Sequence, residues 1–385
     1  MNWISVPWGT AWLALKGWPA QEVWDSLHPA LGFAHSLRRN DALVPILWGL
    51  FVHVLCRGRV AESLCWVEEA MNAAETYDDP DLLVLGHRIA VTVHYWLGNP
   101  IKTRKHADCV LALYSEERHS RLVGMLSQDA KTTTLYLLAV STWMLGYPDR
   151  GAQLRDEAEA HARRLGHPFD LGWALTESAQ LFDCRGEPDE QLQRLEEAAR
   201  LGRENSLPFL MQILVPISSG VTLIRKGQVG EGMGLLARGI AAWEGGGGKV
   251  NGPYAKSVLA QGMAQLGDVD GALKLMDEVI AQIERPGWEE RHYYAEALRL
   301  KGWLLALEGE SEGAERAYLA SIDWARTQQA KSWELRTATS YARLMRDQGH
   351  AREARDLLAP VYGWFTEGFN TPDLKDAAKL LSELA

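Results

Sequence analysis

Between Tyr294 and Trp324 the apolar residues fall at helical spacing, first at Ala295, Leu298, Leu300, Trp303, Leu304 and Leu307. Glu308-Gly309-Glu310 interrupts the run, and Gly309 suits a left-handed helix C-cap. The pattern resumes at Ala314, Ala317, Tyr318, Ile322 and Ala325, with Ser311 placed to N-cap this second helix. Two helices joined by so short a turn form an antiparallel αα-hairpin.

The unit recurs along the whole chain. Turn glycines stand at Gly17, Gly58, Gly98, Gly146, Gly186, Gly227, Gly267, Gly309 and Gly349, about 40 residues apart except for about 48 between Gly98 and Gly146. Small residues recur seven positions before the glycine (Ala139, Ala179, Gly220, Ala260, Gly302, Ala342) and five after it (Gly232, Ala272, Ala314, Ala354). Closely crossing helices need small side chains at such points. The earlier repeats place Phe51, Val91, Ser63 and Thr103 there instead. This is a tetratricopeptide (TPR) pattern with a longer repeat than usual. It predicts an all-α fold: a right-handed superhelical solenoid of about nine TPR-like helix pairs.

The 385 residues read as one solenoid over 1–385. Within it we expect aromatic-rich repeats over 1–130, central and C-terminal repeats over 131–370, and a capping helix over 371–385. Thr371-Pro372-Asp373 is an N-cap signal for that last helix, whose apolar face would cover the final repeat. Prolines after Gly98-Asn99, Gly146-Tyr147 and Gly186-Glu187 start second helices. The long interval, Leu113 to Thr134, is expected to form a longer loop beside the binding face.

Composition narrows the function. A net charge of −10 argues against nonspecific nucleic-acid binding. Cys56, Cys65, Cys109 and Cys184 contain no Cys-x-x-Cys pair, so they read as small hydrophobes of a reduced, cytoplasmic protein. The longest apolar run, Ile46 to Cys56, is about half a membrane span, so no membrane segment is expected.

Three stretches resemble the C-terminal TPR region of bacterial multidomain regulators that carry a class III adenylate/guanylate cyclase domain and a P-loop ATPase. They are Ala330-Lys-Ser-Trp-Glu-Leu-Arg336, Leu357-Leu-Ala-Pro-Val-Tyr-Gly-Trp-Phe-Thr-Glu-Gly-Phe369 and Thr371-Pro-Asp-Leu-Lys375. The similarity continues upstream through His167-Pro-Phe169, Leu145-Gly-Tyr-Pro148 and Leu47-Trp-Gly-Leu50, to about Thr10. The repeat period is also similar to that of the effector-binding superhelix of MalT-type activators. The resemblance implies a sensor or scaffold array. This chain holds no cyclase or ATPase portion, so neither activity carries over. Where the family tends to have Gly-Gln-Asp-Pro-Gly in the long loop, this chain reads Ser127-Gln128-Asp129-Ala130-Lys131.

Catalytic motifs are missing. Gly245-Gly-Gly-Gly-Lys249 resembles a phosphate loop, but Trp243 and Val250 occupy positions that need glycine and Ser/Thr, so a flexible inter-repeat loop is expected. His53, His87 and His94 lack the partners of a zinc site, and packed or half-exposed histidines are expected. No nucleophile, base and orienting group appear together, so we expect no catalytic residues, no metal and no cofactor.

Counting back from each glycine assigns side chains to the concave groove. The N-terminal part offers Trp48, Arg88, Tyr95, Trp96, Tyr136, Trp143 and Trp173, and the C-terminal part offers Glu296, Arg299, Trp303, Arg336, Arg343 and Arg346. Aromatics there can stack on flat or apolar groups, and arginines three and seven apart can clamp a carboxylate or phosphate. The alternative is that the tryptophans pack between repeats and the arginines pair with neighbouring acids. The leading reading is a non-enzymatic scaffold or sensor holding a protein or peptide segment. The second is a small-molecule effector sensor, and the third an enzyme using the groove.

Overall fold

The structure, a computed structural model, describes Trp12 and residues 17–385. The helix expected before Gly17, and the start of the resemblance near Thr10, lie outside the described residues.

From Gly17 onward the chain is a TPR-like helical solenoid, with no strand among the described residues. Helix α1 (Gln21–Ser36) follows the turn at Gly17. Seven pairs follow: α2 (Asn40–Cys56) with α3 (Leu64–Tyr77), α4 (Pro80–Trp96) with α5 (Pro100–Leu113), and α6 (Ala130–Met144) with α7 (Pro148–Leu165). Then come α8 (Pro168–Arg185) with α9 (Pro188–Glu204), α10 (Val215–Arg225) with α11 (Val229–Gly245), α12 (Gly252–Gln265) with α13 (Val269–Glu284), and α14 (Tyr294–Leu307) with α15 (Ser311–Thr327). An eighth pair, α16 (Lys331–Asp347) with α17 (Ala351–Tyr362), precedes α18 (Pro372–Glu383). Leu374, Ala377 and Leu380 of α18 pack against Ala338, Ala342 and Leu358 of that last pair.

The glycine ladder works as backbone geometry requires. All nine turn glycines have positive φ, from 67° to 95°, which residues with a Cβ adopt only under strain. At Gly309 the chain reverses through hydrogen bonds from Gly309 N to Ala306 O and from Glu310 N to Leu305 O. The helix then starts one residue earlier than expected: Glu310 is the N-cap and Ser311 the first helical residue. The helix-crossing positions are buried as well. A Cβ on Gly220 would lie 2.6 Å from Leu236 N and 2.7 Å from Gly232 O, so those helices touch backbone to backbone.

Other local expectations need adjustment. Thr371 stands before α18 as expected, but its hydroxyl donates back to Gly368 O at 2.7 Å instead of capping the helix. The long interval is not an open loop. It forms the turns Glu116–His119 and Val123–Leu126, then enters α6 through Asp129, whose carboxylate accepts from Thr132 N at 2.9 Å. Cys56 and Cys184 are buried, whereas Cys65 is exposed and does not act as a core hydrophobe.

The coil closes on itself. Cys56 O accepts from Lys249 N (2.7 Å), Trp96 O accepts from Arg291 N (2.7 Å), and Ser332 Oγ donates to Trp143 O (2.5 Å). Gly186 lies against Pro372. Each bridge joins the C-terminal end of a first helix to the entry of a first helix about 190 residues later. At about 40 residues per pair, one superhelical turn takes just under five pairs. Successive turns are therefore stacked in contact, and the groove between them is shut.

Candidate functional site

The first helices point inward, and closing the coil encloses what they carry. A small apolar chamber, with a cavity volume of about 100 Å³, lies inside the N-terminal turn. Its walls are Trp18, Trp48, Trp96, Tyr136, Trp173, Phe209 and Trp243, filled in by aliphatic side chains. Trp173 and Phe209 stack with ring centroids 6.2 Å apart at 9°. Trp18 leans on both, at 5.1 and 5.2 Å. Phe209 meets Trp243 edge-on at 5.8 Å.

Each wall is anchored from behind. The indole N–H of Trp48 donates to Leu126 O (3.1 Å), in the long interval, and the Arg88 guanidinium lies 3.9 Å over its ring. Trp243 donates to Val250 O at 2.9 Å. That contact, with Lys249 bonded to Cys56, makes the glycine-rich stretch an inter-turn fastener and not a free loop. Ahead of α10 the backbone widens into a π-turn, Leu210–Leu214, and Phe209, Ile213 and Leu214 line the chamber from it. Such π-turns concentrate at functional sites.

Polar atoms in this wall stand unused. Gln128 Nε2, Trp173 Nε1 and Asn251 Oδ1 are buried without a hydrogen-bond partner, and all three residues line the chamber. Gln128 is 3% exposed, and its carbonyl side is engaged by Arg88 at 3.0 Å, so its amide donors are the free end. A buried donor without a partner is costly, and these three atoms are placed to bond a polar group that enters the chamber. Glu177 adds a carboxyl that burial raises to about 7, with a hydrogen bond from Tyr136 working against the rise. A second cleft, with a volume of about 440 Å³, shares Trp18, Phe209 and Ile213 with the chamber and extends past Ser127, Ser206 and Gln212.

The sequence-derived groove residues divide among four environments. Trp48, Trp96, Tyr136 and Trp173 meet in the chamber wall. Arg88, Tyr95 and Trp143 are buried behind it: Tyr95 donates to Gln180 Oε1 (2.7 Å), and Trp143 meets Trp333 edge-on at 4.6 Å. Trp303 is half-buried against the core.

The arginines lie elsewhere. Arg299, Arg336 and Arg343 line a polar cavity with Arg225, Asp183, Glu296, Asp373 and Asp376. There the charges are matched. Arg299 grips Glu296 through two bonds of 2.7 Å, and Arg225 holds Asp183 at 2.7 Å. Arg336, Arg343 and Arg346 pair with Asp373, Asp376 and Glu383 across α16 and α18. Burial alone would raise the Glu296 carboxyl, but Arg299 and then Arg336 hold it down at about 2. An anion entering here would have to displace the chain's own carboxylates.

Sequence reading missed Trp18, Phe209, Trp243, Gln128 and Glu177. The first three sit in a turn, a π-turn approach and the end of a second helix, outside the register counted from the glycines. Among the histidines, His87 and His106 approach to 3.0 Å (Nδ1 to Nδ1) and His94 stacks on His106. Among the described residues no group of three or more potential ligands could hold a metal, and no helix is long and apolar enough to cross a membrane.

No family profile and no curated protein matches the chain by sequence. Solved structures do match in fold. A Rap protein complexed with competence and sporulation factor is 12% identical, with a TM-score of 0.54, and the match covers 89% of this chain and 96% of that one. A chain of the APC/C hetero-tetramer Cut9-Hcn1 is 14% identical with a TM-score of 0.56, covering 94% of this chain and 59% of that one. A monomeric IFIT1 mutant with Gppp-AAAA is 13% identical with a TM-score of 0.50, covering 94% and 77%. At these identities the likeness is one of architecture, and it places the chain among TPR-like helical-repeat solenoids.

Proposed function

We propose that this chain is a non-enzymatic TPR-type scaffold that serves as a sensor, holding a compact, largely apolar ligand inside its coil on behalf of a regulatory system. The observation that carries this reading is the chamber: a small aromatic enclosure into which three buried polar side chains open. The closed coil favours a small ligand over an extended peptide, because stacked turns leave no continuous groove for one. The one thiol in the lining, Cys56, is pushed far up by burial, so the reactive thiolate is suppressed. The sensor role draws on the resemblance to cyclase–ATPase and MalT-type regulators.

A second reading keeps a peptide partner. The cleft beside the chamber has polar positions at Ser127, Ser206 and Gln212, where a short peptide could lie with one apolar side chain in the chamber. The Rap protein of matching fold is complexed with competence and sporulation factor.

The test is binding of a neutral, apolar fluorophore, N-phenyl-1-naphthylamine, followed by quenching of tryptophan emission. A single saturable site is expected. Trp96→Ala and Trp173→Ala should each weaken binding by roughly 10-fold or more, the usual effect of removing an aromatic anchor. No saturable binding, or binding indifferent to both substitutions, would overturn the proposal.

A further inference from the structure

Charge in the chamber is one-sided. Among the described lining residues there is no lysine, arginine or histidine, and the two acids are Glu177 and Glu244. Glu244 already has a cation, Lys256 Nζ at 2.7 Å. Glu177 lies one helical turn beyond Trp173 on α8 and has no ion pair among the described residues. The groups facing it from neighbouring helices are the phenols Tyr95 on α4 and Tyr136 on α6, both held neutral because burial raises them far above their usual value. Cys56 on α2 is neutral for the same reason. None supplies a positive charge.

A carboxylate in an apolar enclosure is unfavourable unless something of opposite charge meets it. Here it shares the chamber lining with Trp96, Tyr136, Trp173 and Phe209, and the electron-rich faces of such rings attract cations. Within the fold itself the Arg88 guanidinium lies 3.9 Å over the ring of Trp48.

Resting on the reading of the chamber as a ligand site, we propose that its ligand is an organic cation: an ammonium group set against Glu177 and the surrounding rings, carried on an apolar body that fills the tryptophan walls. Gln128 Nε2 and Asn251 Oδ1 then serve polar substituents on that body. Glu177 is a positioning and selectivity residue, choosing a cation over a neutral molecule of equal shape. Because burial holds its carboxyl near 7, it is largely neutral at pH 6 and largely ionised at pH 8, so a permanently charged ligand binds more tightly as pH rises.

The experiment compares phenyltrimethylammonium with its neutral carbon isostere, tert-butylbenzene, on the whole chain by calorimetry and tryptophan quenching. The cation should bind about 10-fold or more tightly than the isostere. Its affinity should rise roughly 10-fold from pH 6 to pH 8, while that of the isostere stays flat. Glu177→Gln should cut the cation's affinity several-fold and abolish its pH dependence, while far-UV circular dichroism reports that the variant is folded. Equal binding of cation and isostere to the wild type, or a cation affinity and pH dependence left unchanged by Glu177→Gln, overturns this proposal and leaves the chamber reading standing. Binding of neither overturns both.

Discussion

Arg336 is where three parts of the coil meet, and its removal gives a measurable test of closure. Its guanidinium donates to Asp373 Oδ2 on α18 and to Cys184 O at the end of α8, both at 2.7 Å. It also lies 3.5 Å from Glu296 on α14 and within 5.2 Å of the Trp143 and Trp333 ring centroids. All three charged side chains are well sheltered: Arg336 is 15% exposed, Glu296 1% and Asp373 27%. Screening by water is therefore weak. Arg336→Met keeps the stem against the rings and deletes two charge-assisted hydrogen bonds, each about 1.5–3 kcal/mol. Relief from burying a guanidinium offsets part of this, and the stranded Asp373 adds to it, so the net loss should be about 3–5 kcal/mol. Arg336→Lys, which keeps the charge without the fork, should lose roughly half as much. Urea unfolding followed by far-UV circular dichroism and tryptophan emission measures both. A cycle with Asp373→Asn should show coupling of at least about 1.5 kcal/mol. A loss below about 1 kcal/mol for Arg336→Met would refute the idea that this residue clamps one superhelical turn to the next.

Two buried acids should give opposite pH dependences. Glu296, held down at about 2 against an ordinary 4.5, contributes stability that is present above pH 4.5 and is lost as the pH falls toward 2, and Glu296→Gln should abolish that acid limb. Burial raises Glu290 to about 8, so its contribution is full below 4.5 and fades as the pH rises through 8. Glu290→Gln should thus be more stable than wild type above pH 8, by at least about 1 kcal/mol in chemical denaturation. Gly309→Ala meets nothing within 4 Å and should cost only the left-handed backbone strain, about 1 kcal/mol. Gly98→Ala would place its Cβ 2.7 Å from Arg291 O in the next turn, and should cost about 2 kcal/mol more than Gly309→Ala by the same measurement.

The helix pairs were legible because each turn glycine and each apolar stripe is a local requirement of backbone geometry. Trp48, Trp96, Tyr136 and Trp173 could be assigned inward for the same reason. Which turn lies against which depends instead on small crossing angles summed over about five pairs, and no local pattern displays that sum. Trp243 and Phe209 enter the chamber only through that closure and the π-turn. The arginines carried a readable clue. Arg336, Arg343 and Arg346 step by seven and three, and Asp373, Asp376 and Glu383 step by three and seven, which lets the two helices pair three times. Charges spaced on the capping helix named the partners that the arginines hold.

An open solenoid behaves like a row of dominoes, each repeat coupled only to its neighbours and free to fray from an end. The carbonyls of Cys56, Trp96 and Trp143 tie repeats about 190 residues apart in sequence. Those ties make this coil a ring in all but covalent connection. Its terminal repeats are held by the middle of the chain, so loss of one pair frees two turns at once, and unfolding should be sharp where an open array melts gradually. The same wiring makes folding slow to begin, since distant segments must meet before either is secured.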